Sequence, residues 1–461
     1  MTTIPHLRHA LTTMAAAALF ALTAAAGDAD SLQTYRRLIK QHVCADYKLM
    51  LKQPSGGALI YPYITPGSRS YAAVLWDWDS WLSDVALRQI LADAGTNADR
   101  SEALPHEQGC VLNYLAYTNP EDGYMPMVID SESDPVKIRP ANIYATNMHK
   151  PVIAQHAAFL TQQSGGDAEW LRPWFARMQA FIRNYHAHHR HTPTGLYYWQ
   201  DDLAIGVDND PSTFFRPKGS SASIFLNCLM HKELRAMGYL AERLALADDA
   251  HRYRLMADSL RDAVRRFCWD EKDGMYYSVD LNLRDYTGRP EIIFGKPFVL
   301  HEGAPRNYPC LIQRIGCWSG FMAMWAGIAT PEQARRMVDE NLDDPRTYCG
   351  RYGVRTLAKT EAMYNLRATH NPSNWQGPVW GISNYMVFRG LADYGFTAEA
   401  RLMAEKTVSL FGRDLQREGA LHEYYDPDTG APIINKGFQN WNYLVLNMVA
   451  WLEGRPVVKE F

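Results

Sequence analysis

With 461 residues the chain is long enough for a large buried core, either as one large repeated-helix domain or as two or three ordinary domains. Its 47 Lys and Arg against 50 Asp and Glu leave no basic excess, so no nucleic-acid or anionic-membrane partner is expected, and the composition does not favour disorder. The unusual class is aromatic. There are 13 Trp and 26 Tyr, many beside Asp, Asn or Gly. Flat rings next to hydrogen-bonding groups suit a sugar, whose C–H faces stack and whose hydroxyls need partners.

The chain opens like an export signal. Arg8 gives a positive start, Leu11 to Leu22 is apolar, and Ala24-Ala25-Ala26 before Gly27 fits a small-residue cleavage site. The expectation is a signal over 1–26 and an exported, periplasmic or secreted protein with one domain over 27–461. The apolar run is too short to span a bilayer, and no Cys follows it to carry a lipid. Beyond it, apolar periodicity predicts twelve helices, near 31–50, 79–95, 102–117, 149–165, 167–189, 220–247, 248–268, 317–328, 331–341, 377–395, 397–414 and 440–453. Over 248–267, Tyr253, Met256, Ala257, Leu260, Val264 and Phe267 recur at three and four residues, with Asp248 as a candidate N-cap. Thr330-Pro331-Glu332-Gln333 supplies a cap hydroxyl, a first-turn proline and the Gln of a capping box. Short strands are expected at 195–199, 274–279 and 291–294, as hairpins between helices. The seven cysteines form no CxxC pair, so mostly buried free thiols are expected, with room for one bridge.

Twelve helices joined alternately by short and long connections fit six helical hairpins closed into an (α/α)6 toroid, an all-α fold with β-hairpin insertions whose long loops build a pocket at one end. An irregular solenoid is the structural alternative, weakened by the lack of a fixed-period repeat.

Four stretches carry the chemistry. Trp76-Asp77-Trp78-Asp79-Ser80-Trp81 leads into a helix that Asp79 is placed to cap or, among three tryptophans, to leave free for a sugar hydroxyl. The segment from Gln200 to Pro211 concentrates Asp201, Asp202, Asp208 and Asp210, whose proximity favours a raised pKa on at least one carboxyl. Asn371 to Trp380 offers amides and a stacking face. The fourth holds His422-Glu423-Tyr424-Tyr425-Asp426-Pro427, then Asn440-Trp441-Asn442-Tyr443. Asp208 and Glu423 are the candidate acid/base pair, although each also sits in an ordinary turn sequence. His149-Lys150-Pro151 is a candidate for the pocket rim. HExxH is absent and no cofactor is expected, apart from calcium ligation by the acidic loops.

Taken in order, Trp76-x-Trp78-Asp79, Gly206-Val207-Asp208-Asn209, Asn374-Trp375-Gln376-Gly377-Pro378-Val379-Trp380 and Glu423-x-Tyr425-x-Pro427-x-Thr429-Gly430 resemble glycoside hydrolase family 63, the inverting α-glucosidases. The resemblance implies an (α/α)6 barrel, Asp208 as general acid, Glu423 as general base, and a sugar subsite containing Trp76, Asp79 and Trp375. Trp78, Lys150, Asp202, Asn209, Asn374, Gln376, Gly377, Tyr425 and Trp441 complete the candidate substrate-binding set. No counterpart of the family's usual N-terminal β-rich domain is expected, since fewer than fifty residues separate the expected signal from Trp76, and this puts the family's usual oligosaccharides in question. Inversion requires carboxyls about 6.5–9.5 Å apart, against about 5–5.5 Å for a retaining pair. Competing readings are a trehalase-like glycosidase, or a non-hydrolytic sugar epimerase or binding protein. An epimerase would want a paired His acid and base, which the aromatic loops lack. The partner expected is an oligosaccharide or glycoside; the sugar, its linkage and the oligomeric state stay open.

Overall fold

The computed structural model describes residues 30–461, except 55, 131–138, 284–290, 300–307 and 368–370. The expected export signal lies outside the described residues. After a first helix, α1 (30–46), come α2 (Asp77–Ala94), α3 (Asn97–Tyr117), α4 (Ile153–Gln163), α5 (Phe175–His188), α6 (Ile224–Arg243) and α7 (Ala247–Phe267). Then follow α8 (Met322–Trp325), α9 (Pro331–Met337), α10 (Gly381–Asp393), α11 (Thr397–Glu418) and α12 (Val445–Leu452).

Burial divides these helices into two kinds. The odd-numbered α7 hides one stripe, Ala250, Tyr253, Ala257, Leu260 and Val264, and turns its arginines to solvent. By contrast α4, α6 and α10 are buried on nearly every side over most of their length. A helix apolar around its circumference belongs inside, and one with a single stripe belongs outside. The contacts agree: α2, α4, α6, α8, α10 and α12 touch in succession, and α12 returns to α2, closing an inner ring. Outside it, α3 packs on α2 and α4, α7 on α6, and α11 on α10 and α12.

Short strands lead into the inner helices. Val74–Trp76 feeds α2 and pairs antiparallel with Val128–Asp130; Ser221–Ala222 precedes α6 and pairs with Val279–Asp280. Val379–Trp380 feeds α10 and pairs with Tyr424–Tyr425, placing Val379 opposite Tyr425 and Trp380 opposite Tyr424. Residues at these strand-to-helix junctions therefore gather at one end of the ring.

Several boundaries differ from the sequence reading, each for a local reason. α3 begins at Asn97 because Thr96 and Asp99 form a reciprocal capping box, and Pro105 is accommodated within the helix. The helix expected from 167 starts at Phe175, after Pro173; the one expected from 149 starts at Ile153, after Pro151. Asp248 lies in the first turn of α7, whose N-cap is Leu246. The 317–328 segment is a 3-10 turn (Trp318–Phe321) followed by the single turn of α8. The expected strand at 195–199 is reduced to isolated bridges from Tyr197 to Arg190 and Trp199 to Ser221. The Thr330–Gln333 capping box forms as read. All seven cysteines are unbridged, five of them buried.

Candidate active site

At the junction end of the ring a cleft of about 620 Å³ is lined by Asp208 and Glu423 together, with Trp76, Trp78, Asp79, Lys150, Asp202, Asn209 and Trp441. Segments distant in sequence thus meet on one wall, in a volume suited to a small glycoside.

Asp208 hangs from a loop fastened on both sides. Asn147, itself buried, accepts from Gln200 N (2.8 Å) and donates to the carbonyls of Asp201 and Leu203 (2.9 Å each). Asp202 Oδ2 accepts from Asn209 N at 2.9 Å. The turn requires left-handed backbone at Gly206 (φ +92°), where a Cβ would meet Lys150 Cε at 2.6 Å and the Trp78 ring at 3.0 Å. Asn209 adopts φ +61°, a conformation its short polar side chain tolerates. The 371–376 loop then grips it: Asn209 Nδ2 donates to Ser373 O (2.9 Å) and Gln376 Nε2 to Asn209 O (3.1 Å). Asn371 Nδ2 reaches Asp208 Oδ2 itself at 3.3 Å. Burial raises the Asp208 pKa above the ordinary carboxylate value, against the opposing hydrogen bond from Asn371 and the charge of Lys150.

Glu423 precedes the strand Tyr424–Tyr425 and is buried. Oε1 accepts from Tyr71 OH at 3.2 Å and Oε2 from Asn435 Nδ2 at 2.6 Å. Burial pushes its pKa up to about 7; both hydrogen bonds pull it down, and the nearby Asp208 charge adds to the rise. Asp79 is a third buried carboxyl. It accepts from Asn440 Nδ2, and burial lifts it to about 8 despite Lys150. The helix-capping reading of Asp79 does not hold, since α2 starts at Asp77 with no side-chain cap. Asp77, not Asp79, takes Lys150: its Oδ1 lies 2.7 Å from Nζ and its Oδ2 accepts from Lys150 N at 2.8 Å. Burial works against this charge, but Lys150 holds the Asp77 carboxyl below its usual value.

Other expected site residues stand behind the wall. Trp375 is buried, stacked on Trp380 (centroids 4.1 Å apart) and facing Trp318 at 5.8 Å; Trp380, not Trp375, lines the cleft. Asn374 folds its own loop, donating to the carbonyls of Asn365 and Arg367 and accepting from Gln376 N. Gln376 braces Asn209. Gly377 sits where a Cβ would strike the Tyr364 ring at 2.6 Å. Tyr425 is buried with its hydroxyl on Asp414 Oδ2 at 2.8 Å. These five position the cleft without lining it. Tyr71, Phe214 and Phe438 do line it and escape the sequence reading, because an isolated aromatic in a loop carries no spacing signal. Among the described residues no group of three or more His, Cys, Asp and Glu is arranged to hold a metal ion.

Residues 73–442 match the model of the "Mannosylglycerate hydrolase MGH1-like glycoside hydrolase domain" family. Mannosylglycerate hydrolase MGH1 of Selaginella moellendorffii is 23% identical over 464 residues, spanning 92% of this chain and 86% of that one. Among solved structures, the GH63 mannosylglycerate hydrolase of Thermus thermophilus in complex with glucose superposes with a TM-score of 0.61 at 22% identity, covering 86% of this chain and 97% of the other. Neutral trehalase Nth1 of Saccharomyces cerevisiae gives 0.57 at 18% identity, over 84% and 73%.

Proposed function

Because the chain belongs to the MGH1-like glycoside hydrolase family, within glycoside hydrolase family 63, it is a glycoside hydrolase, and we propose that it cleaves a terminal α-glycosidic bond with inversion, using Asp208 as general acid and Glu423 as general base. The observation that carries this reading is the meeting of these two carboxyls in one cleft, held from separate loops by amide and phenol donors. We read the closed inner ring and its outer helices as an (α/α)6 toroid.

The acid has to keep its proton until the glycosidic oxygen accepts it. Burial at Asp208 favours the protonated form, and a bound substrate would displace water and deepen that effect. The base has to be ionised and to hold a water on the opposite face of the ring. A pKa of about 7 leaves Glu423 roughly half ionised at neutral pH while retaining basicity, the compromise expected of a general base. Tyr71 and Asn435 each hold one oxygen of Glu423, which fixes the carboxylate plane and leaves its remaining lone pairs for a water. The stacked Trp375, Trp380 and Tyr424 stiffen the wall between the two loops.

The direct test is hydrolysis of a panel of α-linked glucosides and mannosides, including disaccharides, with the released anomer followed by NMR. Release of β-sugar supports the reading; release of α-sugar removes inversion. We also propose export with cleavage after Ala26. Amino-terminal sequencing of the protein from the periplasmic or culture fraction checks this, and an intact 1–26 segment would refute it.

A further inference from the structure

Resting on the reading of Asp208 as the acid, we propose that Asp202 forms the leaving-group subsite and selects a neutral hydroxylated aglycone, a sugar or polyol, over a hydroxy-acid. A general acid lies against the oxygen that departs, so residues on its own loop border the departing half of the substrate. Asp202 is six positions before Asp208, lines the same cleft, and is tied to that loop through Oδ2. Its other oxygen, Oδ1, is shielded and accepts no hydrogen bond of ordinary geometry, an unused acceptor position that a small turn of the carboxyl toward the cleft would offer to a substrate hydroxyl.

The surrounding charge points the same way. The cleft wall carries the carboxyls of Asp79, Asp201, Asp202, Asp208 and Glu423. Among the described residues its one ammonium, Lys150, is held at 2.7 Å by Asp77 and also donates to Ala204 O. Lys218, outside the lining, is paired with the cleft-lining Asp201 at 2.9 Å. Among the described residues, no cation on the cleft wall is free of a carboxylate partner, so an incoming carboxylate would lose its hydration without gaining an unpaired positive charge. Burial holds the Asp202 carboxyl up at about 8, so near neutrality it carries a proton it can donate to a hydroxyl while still accepting in return. Leu203 and Phe214 add apolar surface beside it, suited to a polyol or sugar face.

The test pairs α-glycosides of glycerol and of glycerate, which differ only by CH2OH against carboxylate, in both glucosyl and mannosyl series. We expect kcat/KM to favour the glycerol compound at least tenfold, and Asp202→Asn, which keeps an acceptor for Asn209 N, to bring the ratio within about threefold of unity. A ratio taken within one protein preparation is insensitive to the fraction folded. Equal or better cleavage of the glycerate compound, or an unchanged ratio in the variant, overturns the proposal. Should neither be cleaved, calorimetric binding to the wild-type protein separates the two ideas. Tenfold preference for the glycerol compound retains the subsite and removes the acid/base assignment; equal or no binding overturns the subsite.

Discussion

Tyr71 and Glu423, 352 positions apart, share a hydrogen bond of 3.2 Å from the phenol to Oε1. This bond stabilises the ionised carboxylate and pulls its pKa down against burial. In Tyr71→Phe the Glu423 pKa rises further. A hydrogen bond to a charged group contributes about 1.5–3 kcal/mol, so the acid limb of the kcat/KM profile should move up by roughly one pH unit or more. Activity at pH 7 falls about tenfold and recovers at higher pH. An acid limb at the wild-type position would show that Tyr71 does not tune the base.

The two carboxyls should separate cleanly by leaving group. Asp208→Asn lowers hydrolysis of unactivated glycosides by about 10²–10⁴-fold, the usual contribution of a positioned acid. On an α-glycosyl fluoride, whose leaving group needs little protonation, the same variant retains most of its turnover. Glu423→Gln is slow on both. Because the Asp208 charge raises the Glu423 pKa, the acid limb measured with the fluoride should also shift to lower pH in Asp208→Asn. Equal losses on both substrates would remove Asp208 from the acid role.

Gln376 touches the acid only through Asn209. Replacing it by Leu leaves the Asn209 carbonyl without this donor and frees one side of the acid loop. The expected outcome is a fall in kcat of about tenfold with KM changed less than about threefold, and a modest loss of stability, about 1–3 kcal/mol. Rescue by Gln376→Asn, with a shorter reach, should be partial. A variant that raises KM alone would place Gln376 in ground-state binding instead.

Stability should depend on pH with a negative slope. In the folded chain Asp79 and Asp202 sit near 8 and Glu423 near 7, whereas unfolded carboxyls titrate near 4. From about pH 6.5 to 8, above the unfolded histidine value, these carboxyls make the folded state bind more protons than the unfolded state, and stability drops as pH rises across that window. Asp77 acts in the opposite sense at low pH, and so, below about pH 6.5, do the buried His149, His156, His189 and His231, which burial keeps neutral in the folded chain while they charge in the unfolded one. Thermal unfolding without ligand should give a higher Tm at pH 6.5 than at pH 8, with a shallower slope in Glu423→Gln. A Tm that climbs steadily over this range would contradict the burial of these groups.

The helices were legible because their chemistry is local. One-stripe segments such as α7 and the Thr330–Gln333 box announce themselves within a single turn. Long-range pairing was less so. Gly67 bridges both Tyr71 and Phe438 in the segment that carries Tyr71 to Glu423, and nothing near Tyr71 in sequence signals that pairing. The motif 374–377 was visible as a motif, yet its side chains turn inward to stack on Trp380 and brace Asn209, a direction spacing alone does not encode. Composition and motif thus identify the neighbourhood, and the tertiary register decides which members face the sugar.

Residues near the C-terminus clasp the inner ring. Glu460 is buried, accepts from Trp325 Nε1 (2.9 Å) and Tyr385 OH (2.7 Å), and faces Arg389, joining α8 and α10; Trp81 packs on Trp325 from α2. One carboxylate thus closes a knot of three inner helices, and removing it would strand a buried guanidinium without its buried counter-charge. Integrity of the ring that carries the cleft loops therefore hangs on a side chain one residue from the end of the sequence, outside the cleft lining.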